Sequence, residues 1–411
     1  MSFLGSAGRR GAALLRHRGI TATAGAAALV VISGGTFAAV THRGPNHETI
    51  ASAGNTSASN SRPAAQAKPA HPAEPLRVVS VSPGNSRGVN GAAPIKVTFS
   101  SALSPQTPLP TLSPKIAGSW RVSGDTVTFT PAVGYQPGTR VTLKIPGGKA
   151  GVTGAGNSAG VLGKSETVSF TTGSFSTLRL QQLLAELGYL PLTWTPASPD
   201  APAIPDGDAN AQLSAAYDPP AGTFTFQSGY PAELTSQWRT GEDNMLDVGA
   251  IRAFENNQGL AMDGVAGPAV WAHLFTAIAR HQVNPDGYTY ALATQGSSNE
   301  SLQVWHDGRR ILDTPANTGI PASPTADGTF PVYERLQFQI MKGTNPDGTK
   351  YADPVSWIAY FNGGDAVHGF YRAGYGWYQS LGCVELPPAT AKYIWPYLTY
   401  GTLVTVRGPV A

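Results

Sequence analysis

The spacing of apolar residues changes twice along this 411-residue chain, and a segment written in one period does not settle into the structure of the other. Residues 77–172 alternate with the two-residue period of strands in "RVVSVSP", "IKVTFS", "SWRVSGDTVTFTPA", "TRVTLKI" and "ETVSFTTG", parted by Pro and Gly turns. From residue 175 the period lengthens. Leu180, Leu183, Leu184 and Leu187 fall at helical spacing, and Gly188 follows where a C-cap belongs. Ile251 and Phe254, then Val270, Trp271 and Leu274 after a glycine-rich turn, repeat that pattern. Strand-like alternation returns over 284–408 in "SLQVWHDG", "GTFPVYERLQFQIM", "VSWIAYF" and "GTLVTVRG". The expected architecture is multidomain and mainly β. It comprises an antiparallel β-sandwich over 77–173, a small helical domain over 174–283 and a β-rich domain over 284–411. An insert at 193–240, with "AAYDPPAGTFTFQSGYPAELTSQW", reads as a hairpin flanked by loops.

Two segments precede these domains. Residues 1–43 hold Arg9, Arg10, Arg16, Arg18 and Arg43 with no acid, and residues 20–41 are uncharged. A spanning helix needs about 20 apolar residues and a cleaved signal core about 7–15, so this run lies near the border and its length favours an anchor with the arginines in the cytoplasm. The remainder is then extracytoplasmic, membrane-anchored or secreted. Residues 44–76 are rich in Ala, Pro, Ser and Asn with too few large apolar residues for a core, which reads as a disordered tether. Five of the 28 basic residues and none of the 25 acids lie in 1–43, leaving 23 basic against 25 acidic residues downstream. That balance offers no basic face for nucleic acid.

Cys383 is the only cysteine. Exported proteins use cysteines in pairs, so a single one is either a buried filler or a reactive thiol. His368 precedes it by fifteen residues in "GGDAVHGFY". A thiol with a pKa of about 8.5 is only slightly ionised at neutral pH, and a positioned imidazole that takes its proton makes it a useful nucleophile. The pair is therefore a candidate for acyl transfer, although a core cysteine and a hydrogen-bonded surface histidine remain open on spacing alone. His306 and His368 lack a clustered third ligand and no HExxH spacing occurs, so neither a metal nor another cofactor is implied.

Longer stretches carry resemblances. "SVSPGNSRGV", "IKVTFSSALS" and "GDTVTFTPAVGYQPGTRVTLKI" resemble the bacterial immunoglobulin-like domains of wall enzymes, and "LQQLLAELGYLP", "AIRAFENNQGL" and "DGVAGPAVWAHL" resemble the three-helix peptidoglycan-binding domain. "SPTADGTFPV", "YADPVSWIAYFNGGDAVHGF" and "QSLGCVELPPATAKYIWPYLTYGTLVTV" are similar to the catalytic domain of the L,D-transpeptidases of the YkuD type. That resemblance implies Cys383 as nucleophile and His368 as general base, followed by Gly369. It makes Ser380 and Gly382 the loop that frames the thiol, with backbone N–H groups near Gly382 and Cys383 at the oxyanion. Tyr351 and Trp357 would belong to a substrate pocket. Tyr371, with Tyr375, Trp377 and Tyr378, forms a lid or substrate wall, or else caps the sheet. The implied partners are peptidoglycan stem peptides and glycan, β-lactams of the carbapenem type, and the membrane through the N-terminal segment. The implied reaction is 3→3 cross-linking through a cysteine acyl-enzyme. Two departures stand out: Leu381 occupies the place of a usual second histidine, and Glu385 a place often held by Arg or Asn. The other readings are a noncatalytic wall-binding protein and an L,D-carboxypeptidase with the same site.

Overall fold

The computed structural model describes residues 74–156, 160–198, 207–296 and 299–408. The export segment and the tether up to residue 73 lie outside the described residues. The first seven strands are β1 (Val78–Ser82), β2 (Ile95–Phe99), β3 (Thr111–Ser113), β4 (Gly118–Ser123), β5 (Thr126–Pro131), β6 (Arg140–Ile145) and β7 (Glu166–Thr171). They form two antiparallel sheets, β1-β2-β5-β4 and β3-β6-β7. The two-residue period decides what meets between them. Ile95, Val97 and Phe99 of β2, Val127 and Phe129 of β5, and Val141, Leu143 and Ile145 of β6 are buried in one core, while Lys96, Arg140 and Lys144 face out.

The chain then becomes helical: α1 (Thr177–Glu186), β8 (Leu192–Pro196), α2 (Ala209–Ala215), β9 (Gly222–Phe226), α3 (Ala232–Thr235), α4 (Met245–Gln258) and α5 (Pro268–Ala279). Ser176 Oγ caps α1 by accepting from Arg179 N–H at 3.2 Å. At the other end Gly188 turns left-handed at φ +76°, and the N–H groups of Gly188 and Tyr189 reach the carbonyls of Ala185 and Leu184. Asn244 and Asp247 form a capping box at the start of α4. The expected hairpin needs correction. Residues 215–238 contain one strand of it only; β9 pairs with β8, which starts at Leu192, with Trp194 opposite Phe224. The connection between them includes α2, capped by Asp208, where loops were expected.

The C-terminal part holds β10 (Thr289–Thr294), β11 (Ser301–His306), β12 (Arg309–Pro315), β13 (Gly328–Pro331), β14 (Glu334–Thr344), β15 (Lys350–Asn362), β16 (Asp365–Gly369), β17 (Val384–Leu386), α6 (Pro388–Ile394) and β18 (Leu403–Arg407). One sheet runs β12-β11-β10-β18-β13 and the other β14-β15-β16-β17, with β10–β18 and β16–β17 parallel. Ala291, Ala293, Leu302, Val304, Val404 and Val406 of the first meet Ala359, Phe361, Val367, Val384 and Leu386 of the second. The first sheet is covered on its other face as well. Tyr290, Leu292, Trp305 and Leu403 point away from that core into the one built by α1, α4 and α5. Helices, five-stranded sheet and four-stranded sheet thus form three consecutive layers sharing the middle one, and the helical part is not a separately cored module.

Candidate active site

Strands β16 and β17 set the site by register. Val367 pairs with Val384, His368 with Glu385 and Gly369 with Leu386. Because side chains alternate along a strand, Val367, Val384 and Leu386 enter the core while His368, Glu385 and Cys383, which immediately precedes β17, share the opposite face. His368 is 3 % exposed, its ring packs edge-on to Phe370, and its Nδ1 is buried without a hydrogen-bond partner. Cys383 Sγ donates to the carbonyl of Gly364 at 3.6 Å. It packs on the cluster of Val355, Ile358, Tyr360 and Ala366 while remaining partly exposed.

Electrostatics at rest favour a neutral pair. Burial pushes the Cys383 thiol up to about 12, Asp365 and Glu385 push the same way, and a hydrogen bond with the Ala366 backbone only partly offsets them. Burial also holds His368 below the ordinary imidazole value; Glu385 and a hydrogen bond with the Gly369 backbone pull it up, and Arg372 pulls it further down. The imidazole is therefore held toward its neutral form, on the same sheet face as a thiol that keeps its proton.

The loop leading into Cys383 is fixed from both sides. Ser380, 1 % exposed, donates through Oγ to the Cys383 carbonyl at 2.6 Å and accepts from Gly382 N–H at 3.2 Å. The Gly382 N–H expected at the oxyanion is thus committed to the Ser380 hydroxyl, which also binds the Cys383 carbonyl. Gly382 sits at φ +121°, and a Cβ there would collide with Asp365 Oδ1. The segment 317–326 clasps the loop: Thr318 O accepts from the N–H groups of Gln379 and Ser380, Ile320 N–H donates to Ser380 O, and Ser323 Oγ donates to Leu381 O at 3.0 Å. Buried Glu300 anchors that clasp by accepting from Thr318 N–H at 2.6 Å and Gly296 N–H at 3.0 Å.

The remaining expected residues scatter. Tyr351 lies on the thiol's side of β15; burial and then the Cys383 charge raise its phenol. Trp357 does not join it. A bulge in β15 between Ser356 and Ala359 puts Trp357 at φ +58° and turns it to the core side, where it packs on Trp395 at 5.7 Å and lies under Lys392. Gly369 serves packing, since a Cβ there would meet Pro388 and Ala391 of α6. Tyr371 is 84 % exposed, whereas Tyr375 turns inward to donate to Phe370 O at 2.6 Å. Sequence reasoning missed Tyr333 and Tyr360, whose phenols both feel the Cys383 charge, and Arg372, Asn317 and Glu300. None of these carries a local signal, because each acts through a partner distant in sequence. His306 is elsewhere, on β11, bonded to Thr289 Oγ1 at 2.9 Å.

Comparison with known proteins identifies two domains. Residues 294–406 match the L,D-transpeptidase catalytic domain, and residues 72–172 match the bacterial Ig-like domain. No curated protein matches. Among solved structures, an L,D-transpeptidase from Mycobacterium smegmatis shares 14% identity over 82% of this chain and 100% of its own, with a TM-score of 0.27. L,D-transpeptidase 3 from Mycobacterium tuberculosis, in complex with a faropenem-derived adduct, shares 15% over 80% of this chain and 98% of its own, also at 0.27. The catalytic domain of an E. faecium L,D-transpeptidase shares 29% over 28% of this chain and 96% of its own, at 0.26. The chain therefore carries a bacterial Ig-like domain over residues 72–172 and, holding His368 and Cys383, an L,D-transpeptidase catalytic domain over residues 294–406.

Proposed function

We propose that this chain joins peptidoglycan stem peptides through a covalent acyl-enzyme on Cys383, with His368 as its base. The observation that carries the reading is the placement of His368, whose buried Nδ1 has no hydrogen-bond partner, and the Cys383 thiol on one face of neighbouring parallel strands. With the thiol so strongly protonated, nucleophile and base act together: proton transfer to His368 accompanies attack rather than preceding it. Cys383 Sγ attacks the amide carbonyl between the third residue and the D-Ala at position four of a donor stem. Backbone amides of the nucleophile loop stabilise the oxyanion. The C–N bond breaks, the imidazolium returns its proton to the departing D-Ala amine, and a thioester remains. The side-chain amine of the third residue in a neighbouring stem then attacks the thioester and gives its proton to His368, which passes it to the departing Cys383 Sγ; the C–S bond breaks, the thiol and neutral imidazole are restored, and a 3→3 cross-link is closed. Tyr333, Tyr351 and Tyr360 would wall the donor. The helical part would contact glycan, and residues 20–41 would hold the enzyme at the outer face of the membrane.

The test is intact-protein mass after incubation with a carbapenem, an acyl-donor mimic, beside C383A and H368A. A single adduct is expected, abolished in C383A and formed at least about a hundredfold more slowly in H368A. Failure of the unmodified protein to form an adduct would return the chain to a noncatalytic wall binder. Incubation with a tetrapeptide stem then separates the acceptors, dimer for an amine and tripeptide for water.

A further inference from the structure

Glu385 is 4 % exposed, pairs in register with the base His368, and sits two residues after the nucleophile on the same face. A lone carboxylate in that position would oppose formation of the thiolate. It is not alone. Arg372, from the loop between base and nucleophile, meets it with a two-pronged fork, Nε to Oε2 at 2.8 Å and Nη2 to Oε1 at 2.8 Å. Nη2 also donates to Gln379 O at 3.1 Å, and the guanidinium lies 4.7 Å over the Phe370 ring. Asn317 exchanges backbone hydrogen bonds with Glu385 in both directions. The ion pair therefore ties the loop before Cys383 to β17, the strand beside that of His368, and Asn317 ties the clasp segment to the same glutamate.

We propose that Arg372 and Glu385 form a positioning pair in which the guanidinium neutralises a carboxylate held beside His368, so that the base stays unprotonated and the nucleophile loop stays closed. This rests on the catalytic reading of Cys383 and His368. A staple alone would not need charge, since a buried ion pair contributes little net stability compared with apolar residues of the same shape. Charge matters here because of what else faces the couple. Asp365 stands on β16, Tyr351 and Tyr360 on β15 and Tyr333 just before β14, with Asp353, Glu334 and Tyr375 beside these tyrosines and Arg372. All of these are neutral or acidic. Arg372 is the only cation that weighs on His368 or Cys383 among the described groups.

The pair is tested on the full chain by two readouts. The first is the pH titration of the His368 imidazole by NMR, which does not require turnover. The second is the rate of carbapenem acylation against pH. In R372Q, with Glu385 uncompensated, the His368 midpoint is expected to rise and the acid limb of acylation to follow it. The rate at pH 6 should fall about tenfold while the rate at pH 9 changes by less than about twofold. R372K keeps the charge but loses the fork, so its midpoint should stay near that of the unmodified protein. The double variant R372Q/E385Q removes both charges and should bring the midpoint back, and it remains informative if R372Q alone does not fold. An unchanged His368 midpoint in R372Q, or an equal rise in R372K, overturns the proposal. If the unmodified protein takes no adduct, the catalytic reading fails while the titration still decides the pair.

Discussion

At the scale of single residues, the thiol is protected rather than pre-activated. With its pKa pushed up to about 12, first by burial, Cys383 is almost wholly protonated at pH 8. Iodoacetamide should therefore alkylate it at least about a hundredfold more slowly than a free thiol at that pH, since the thiolate fraction sets the rate. Yet a carbapenem, which presents a carbonyl to the thiol beside His368, should acylate it at neutral pH. Fast alkylation would show that the resting thiol is already ionised and that proton transfer does not accompany attack. This is also where sequence is most legible. His368, Gly382 and Cys383 lie within sixteen residues and could be read from their spacing and company. Arg372 could not, because a guanidinium in an aromatic loop is unremarkable until the register places Glu385 beside it. Trp357 was misplaced because the bulge that reverses its face has no signature in "VSWIAYF".

At the scale of elements, caps and alternation translate directly into structure, but burial adds charges that propensity does not reveal. Asp247 closes the capping box of α4, and Asn244 N–H, Asn244 Nδ2 and Gln181 Nε2 all donate to its Oδ2, whereas its Oδ1 is buried with no partner. Burial pushes this carboxyl up to about 7. A folded pKa above the unfolded value means that the favourable contribution is complete below about 3.8 and is lost as pH rises through 7. Asp247→Asn keeps an acceptor for the three donors and cannot ionise. Its unfolding free energy relative to the unmodified protein should rise by roughly 2–4 kcal/mol between pH 4 and pH 8. Denaturant unfolding at the two pH values measures it, and an identical difference at both would show that Asp247 is not held protonated by the fold. The helix itself was legible from Ile251 and Phe254; α2, with one Leu in "ANAQLSA", had no apolar stripe to announce it.

At the scale of the whole molecule, the sequence divides more cleanly than the structure does. Periods of two and 3.6 mark off a helical stretch, but they do not say whether its apolar face closes on itself. The clue lay in β10 and β18, where "TYALAT" and "LVTV" are apolar on both faces, the pattern of a sheet covered on both sides. The consequence is measurable. Stripping the helices would expose Tyr290, Leu292, Trp305 and Leu403, each at 8 % exposure or less. At about 1.5–3 kcal/mol per large apolar side chain, the loss is roughly 6–12 kcal/mol, as large as the whole net stability of an ordinary domain. The sandwich is attached differently. Its described polar ties to the helical part include Tyr217 Oη to Tyr135 O at 2.8 Å and Asn90 Nδ2 to Asp218 Oδ1 at 2.7 Å, and its core is its own. A fragment of residues 174–411 should therefore unfold cooperatively and acylate with a carbapenem at a rate within about threefold of the full chain, because none of the side chains that position His368 or Cys383 is removed. A fragment of residues 284–411 should lack a cooperative transition and acylate far more slowly. Full activity in the shorter fragment would mean that the helices cover the sheet without being needed to hold it, and that the shared layer is an interface between two autonomous domains.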